Sequence, residues 1–237
     1  IQGFEKTLAA SGDTSNDLCV LDPPKRPFTV TGTNGAAAVE GTDYHYENNG
    51  TTLVIDSAAP LTISDGDRFD ESGKRRMIGR IRLADNISSV NADGTVTDPI
   101  VLTLDGVTCG GTSGCAFDLG KGNQVTLKLA DSKENIFKSG TGYAGISLGA
   151  GTDLTIEGEM IKHGDPDRSH IGKLTATGGS NSAGIGRSYE ASGQTDSTSD
   201  IIIKGGIMQA TGGSGGAGIG GGNKAAFGNI SITSAEI

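Results

Sequence analysis

Apolar and polar residues alternate in short runs along most of this chain, and the runs return at a regular spacing. Cys115, Phe117 and Leu119 are separated by Ala116 and Asp118. The same two-residue step comes back as Ala144, Ile146 and Leu148, then as Ala183 and Ile185, then as Ala217 and Ile219. Strict alternation puts one set of side chains on one face of a β-strand. A second run follows each time: Val125, Leu127 and Leu129; Leu154 and Ile156; Ile201 and Ile203; Ile230 and Ile232. Ile100, Leu102 and Leu104 fill the same role earlier. A third, shorter run sets Ile136 with Lys138, Leu174 with Ala176, and Met208 with Ala210, and closes on Gly140, Gly178 and Gly212.

The wording repeats along with the pattern. Ala176 to Ser180 and Ala210 to Ser214 both read ATGGS, and Ala183 to Gly186 and Ala217 to Gly220 both read AGIG, 34 residues apart in each case. Three short strands per repeat, each closed by glycine or an Asn/Asp corner, predict an all-β chain wound as a right-handed parallel β-helix, a solenoid, over residues 51–237. Steps from Cys115 to Ala144, Ala183 and Ala217 are 29, 39 and 34 residues. The excess lies in two polar stretches, Glu159 to Ile171 and Arg187 to Ser199, which read as loops thrown out from the coil, where binding residues commonly sit. The column of Cys115, Ala144, Ala183 and Ala217 is expected to stack in a single line.

Residues 1–50 follow another pattern. They hold Pro23, Pro24 and Pro27, and Tyr44-His45-Tyr46 leads through an Asn48-Asn49-Gly50 turn into Leu53, Val54 and Ile55. Asn-Gly between β-prone runs signals a hairpin. This part is expected to be a cap, or the end of a preceding module, that covers the first strand edge. The opening Ile1 and the stop at Ile237 soon after the last strand suggest a piece of a longer protein, truncated at its C-terminus.

Composition sharpens the picture. Hydrophobic residues make up 34% of the chain, below the roughly 45–50% of ordinary globular proteins, and 40 glycines occupy part of the difference. Stacked strands sit about 4.8 Å apart, so the Ala-Gly-Ile positions let one backbone approach the next, and glycine supplies the positive φ that corners need. A net charge of −9 argues against nucleic acid or an anionic membrane as partner. No apolar stretch approaches the roughly 18–20 residues of a membrane span, and no signal peptide opens the chain.

The stretch from Ile100 to Gly140 (VLTLDGV, GCAFDL, NQVTLKLAD, ENIFKSG), with the following GYAGI and LTIEG and the repeated ATGG and GAGIGGG, resembles bacterial secreted and cell-surface β-helix proteins of the clostridial carbohydrate-binding type. The upstream GTDYHYENNGTTLVI is similar to the leader of that coil, so the resemblance covers residues 39–237. It implies an extracellular, non-catalytic module that binds acidic or plant-derived polysaccharide, or host and cell-surface glycan, with calcium as a candidate ion. A purely structural or adhesive stalk is the alternative, and a β-helix polysaccharide lyase is the one enzyme class kept open.

Candidate chemistry is sparse. Sugar binding uses aromatic faces, and this chain has four Tyr and no Trp. Tyr143 begins a repeat strand and Tyr189 lies in the second ejected loop beside Arg187. Asp118 is the carboxylate on the outer face of the first strand. His163, Asp165 and Asp167, with Arg168 and His170, form the most varied cluster, in the first ejected loop. These supply the candidate ligand residues Asp118, Tyr143, His163, Asp165, Asp167, Arg187 and Tyr189. Asp65, Asp67, Asp70 and Glu71 are hard oxygen donors spaced closely enough for calcium, although a solvated loop neutralised by Lys74, Arg75 and Arg76 explains them too. Cys109 and Cys115 flank a Gly-rich loop that would let them pair as a disulfide, or Cys115 is a small buried residue of the repeat.

Overall fold

The computed structural model describes residues 26–33, 37–66, 79–90, 96–111, 113–160, 167–190 and 199–237. Alternating apolar residues and glycine corners leave these without an α-helix, and β-strands carry the architecture. The chain opens with β1 (Phe28–Gly32), β2 (Tyr44–Glu47), β3 (Thr52–Ile55), β4 (Leu61–Asp65), β5 (Arg80–Leu83), β6 (Ser89–Val90), β7 (Val96–Asp98), β8 (Ile100–Asp105) and β9 (Thr108–Gly110). Triplets then recur: β10 (Phe117–Asp118), β11 (Gln124–Leu129) and β12 (Glu134–Lys138); β13 (Ile146–Ser147), β14 (Asp153–Glu157) and β15 (Lys173–Thr177); β16 (Ile185–Gly186), β17 (Ile201–Lys204) and β18 (Ile207–Thr211). β19 (Ile219–Gly220) and β20 (Ile230–Thr233) follow.

Each triplet adds one strand to each of three sheets. The first sheet runs β2-β3-β5-β10-β13-β16-β19, the second β1-β4-β8-β11-β14-β17-β20, and the third β9-β12-β15-β18; β6 and β7 form a separate antiparallel ribbon. All pairings from β8 onward within these three sheets are parallel. The expected columns of the second sheet are present: Leu102 pairs with Leu127, Leu127 with Ile156, Ile156 with Ile203 and Ile203 with Ile232. Phe117, Ile146, Ile185 and Ile219 align in the first sheet. Cys115, Ala144, Ala183 and Ala217 each stand two residues before these, but Ala116 enters the core cluster where the alternation expects Cys115, which is only half-buried. The three inward faces share one buried cluster, with Phe117 and Phe137 its largest fully buried side chains. Apolar burial on this continuous line supplies the main stabilisation.

The third sheet departs from the expected frame by one residue. Asn135, not Ile136, pairs with Leu174, and Phe137 pairs with Ala176. Phe137 and Asn135 are both fully buried while Ile136 is only partly so. The cause is local. Asn135 Oδ1 accepts the backbone N–H groups of Gly106 and Val107 at 3.2 and 2.9 Å, and its Nδ2 donates to Lys173 O at 3.2 Å. A buried amide that pairs with otherwise unmet backbone groups can occupy an inward position.

Glycine is required where sheets turn. A Cβ on Gly145 would lie 2.7 Å from Gly184 O, and one on Gly184 would lie 2.6 Å from Gly218 O. No side chain fits into that close stack, which explains the repeated Ala-Gly-Ile. At the N-terminal end the Asn-Gly hairpin is present: β2 and β3 pair antiparallel around Asn48 and Asn49, which adopt φ of 51° and 57°. Residue 50 thus lies in the turn between two strands of one sheet. β1 likewise pairs antiparallel with β4, so both outer strands at this end run against the parallel ones behind them. Tyr46 Oη donates to Phe28 O at 2.9 Å and ties the two together.

Candidate functional site

Alternation sends Phe117 inward and its neighbour Asp118 outward. Register then makes a column on the outer face of the first sheet: Arg82, Asp118, Ser147 and Gly186. Gly186 leaves the sheet at φ 135°, a conformation that L side chains rarely adopt, and the chain folds back across the preceding strand. Ser188 Oγ accepts Ala144 N–H at 2.9 Å and shares a 2.9 Å hydrogen bond with Ser147 Oγ. Tyr189 N–H donates to Gly142 O at 3.2 Å and to Ser182 Oγ at 3.1 Å.

This fold-back borders an open cavity of about 660 Å³ over the outer face of the first sheet. Its lining brings together Asp118, Tyr143, Arg187 and Tyr189, four of the candidates from the sequence, with Ser147, Ser188, Asp85, Lys121 and Glu190. Tyr143 and Tyr189 are 44% and 37% exposed, leaving ring surface open to a ligand, whereas Arg187 is buried. Arg187 is held at its backbone, where its N–H donates to Gly220 O at 2.9 Å and its carbonyl accepts from Ala183 N–H at 3.1 Å.

Burial raises the Asp118 carboxyl above its ordinary range; the Gly120 N–H, donated at 3.1 Å, pulls the other way, Asp85 raises it, and Arg82 and Lys121 lower it. Cys115, also in the lining, is pushed up to about 12 by burial and then by the Asp118 charge. At physiological pH it is therefore predominantly the neutral thiol. Its Sγ donates to Ala144 O at 3.4 Å. Cys109 is buried on the inward face of β9, opposite Phe137. The two cysteines are not joined, which corrects the disulfide expectation: one sulfur belongs to the core of the third sheet and the other to the edge of the cavity.

The remaining candidates lie elsewhere. Asp167 sits in the connection from β14 to β15, away from the cavity lining, where its Oδ1 accepts Ser169 N–H at 2.9 Å; hydrogen bonding from the Ser169 side chain, and then from its backbone, lowers the Asp167 pKa. Arg168 pairs with Glu236, and His170 Nε2 lies 3.5 Å from Glu159. His163 and Asp165 fall outside the described residues, as do Asp67, Asp70 and Glu71. Asp65 Oδ1 accepts the Thr108 N–H at 2.9 Å, a corner contact. Among the described residues no group of three or more His, Cys, Asp or Glu is arranged to hold a metal ion, so the side chains described supply no calcium site.

Ser188, Lys121, Asp85 and Glu190 were not singled out by the sequence. A signal for the first was present: after the shared AGIG, one repeat continues Arg187-Ser188-Tyr189 where the other continues Gly221-Gly222-Asn223. Bulk and hydroxyls appearing in one repeat where its partner keeps glycine mark a position released from the packing rule. Compared with known proteins, the chain matches no family model, no curated protein and no solved structure.

Proposed function

We propose that this chain is a non-catalytic carbohydrate-binding module of a secreted or cell-surface bacterial protein, its three sheets wound as one right-handed parallel β-helix. What supports this winding is that the chain visits first, second and third sheet in fixed order with parallel strands, and parallel crossovers are right-handed in nearly all proteins. The single observation that carries the binding reading is the cavity in which two exposed tyrosine rings meet a carboxylate and two hydroxyls. A sugar has one apolar ring face and a rim of hydroxyls. An aromatic platform with a few convergent polar groups fits that chemistry.

Asp118, Ser147 and Ser188 would take the sugar hydroxyls, while Tyr143 and Tyr189 cover the ring face. Affinity electrophoresis through gels containing a panel of plant and cell-wall polysaccharides tests this. Retardation by at least one of them, lost in Tyr143→Ala and Tyr189→Ala, is the expected result. Unretarded migration in every gel, with and without added calcium, overturns it.

A further inference from the structure

The lining of this cavity comes from five successive strands of the first sheet or the turns that follow them: Asp85 after β5, Asp118 on β10, Ser147 on β13, Tyr189 after β16 and Ala225 after β19. Neighbouring strands are about 4.8 Å apart, so five of them cover about 19 Å, and 660 Å³ spread over that length leaves a cross-section of roughly 35 Å². That is room for one extended sugar chain. The step of an extended β-linked pyranose chain is close to the spacing between strands. A ligand laid across the strands therefore meets equivalent outward positions, such as Asp118 and Ser147, once per residue.

Charge narrows the class further. The lining holds the carboxylates Asp85, Asp118 and Glu190 against the cations Lys121 and Arg187, in a chain of net charge −9. A uronate chain would bring a further negative charge with every residue into a lining that already has an excess of them. Hydroxyls of an uncharged sugar donate well to carboxylates.

Resting on the carbohydrate-binding reading above, we infer that the ligand is an uncharged, linear, β-linked polysaccharide lying along the stacking direction and contacted over about four pyranose residues. The cavity grips a stretch of chain, so short oligomers fill it only in part.

Calorimetric titration with oligosaccharides from one to six residues long, in gluco-, xylo-, manno- and galacturono-configured series, tests the inference. The expected result is affinity that climbs about fivefold per added residue in an uncharged series and levels off near four residues, with the galacturonate series weaker at every length. Ala225→Trp, which fills one end of the cavity, is expected to move the plateau to a shorter oligomer. Equal affinity for monomer and tetramer, tighter binding of the uronates, or an unmoved plateau in Ala225→Trp overturns this inference while leaving carbohydrate binding in place. Absence of binding at every length in every series overturns both.

Discussion

The rings of Phe117 and Phe137 meet with centroids 5.2 Å apart and planes tilted by 33°, one from the first sheet and one from the third. Both are fully buried. Phe117 also precedes Asp118, so the contact that joins two sheets sets the height of the carboxylate in the cavity. Phe137→Ala is expected to cost about 3–5 kcal/mol, the transfer loss plus the cavity left behind. Denaturant unfolding followed by circular dichroism reads this directly, and a loss below about 1 kcal/mol would contradict the packing described.

Asn135 is the counterpart on the polar side. Asn135→Leu keeps the size and satisfies the alternation rule, yet it strips the Gly106 and Val107 N–H groups of their acceptor. Each buried donor left unmet costs about 1–3 kcal/mol. The apolar variant should therefore be less stable than the native chain, measured as a drop in the thermal midpoint, while Asn135→Asp retains part of the acceptor function and falls between them.

The contrast between these two positions tells what could be read in advance. The second sheet was legible because Leu, Ile and Val recur there every second residue, and its columns hold in the structure. In the third sheet the alternation points one residue away from the observed register, because Ile136 is the apolar member of Asn135-Ile136 and only the backbone groups of a neighbouring turn explain why the amide goes inward. In the same way Asp118, Tyr143, Arg187 and Tyr189 could be named from residue type. Their meeting depends on the fold-back after Gly186, a conformation that no spacing rule announces. The strands before β8 were harder to place, since their connections vary in length and lack the repeated glycine words.

Gly186→Ala should test that fold-back. Its φ of 135° disfavours any L side chain, and an added Cβ would run into the Gly220 carbonyl on the next strand. A loss of about 1–3 kcal/mol is expected, together with weakened ligand retention, because Ser188 and Tyr189 leave their positions over Ser147 and Gly142. Gly142→Ala, where a Cβ would meet nothing within 4 Å although φ is 85°, carries the backbone strain alone and should cost less.

His45 links the hairpin to pH. Its Nδ1 lies 2.5 Å from Asp56 Oδ2 and its Nε2 3.5 Å from Glu47 Oε1, which also accepts from Arg82 at 3.1 Å. The Asp56 hydrogen bond, ahead of an opposing effect of burial, raises the His45 pKa above 6.5. A histidine raised on folding adds stability that is complete below its unfolded pKa and disappears as pH climbs through the folded one. The thermal midpoint should therefore fall as pH rises above about 6.5 through the raised His45 titration, and His45→Gln should flatten that part of the profile. A native profile no steeper than the variant's would remove His45 from the account.

Asp118 carries the opposite balance, because its carboxyl is raised above 3.8 chiefly by burial. The folded protein then binds this proton more tightly than the unfolded chain, so the residue's contribution to stability falls as pH rises from the ordinary carboxylate range through the raised value. Once the carboxyl is ionised its desolvated charge weakens the fold, so at pH above the Asp118 titration Asp118→Asn, which can still accept the Gly120 N–H, should raise the thermal midpoint. The same variant loses the charged acceptor that sugar hydroxyls would use, so glycan affinity should drop while stability increases. Binding by the native protein should weaken as pH falls through the Asp118 titration, whereas the asparagine variant should show no such step. A variant that is both less stable and equally retained by the glycan would mean that Asp118 serves the fold and not the cavity.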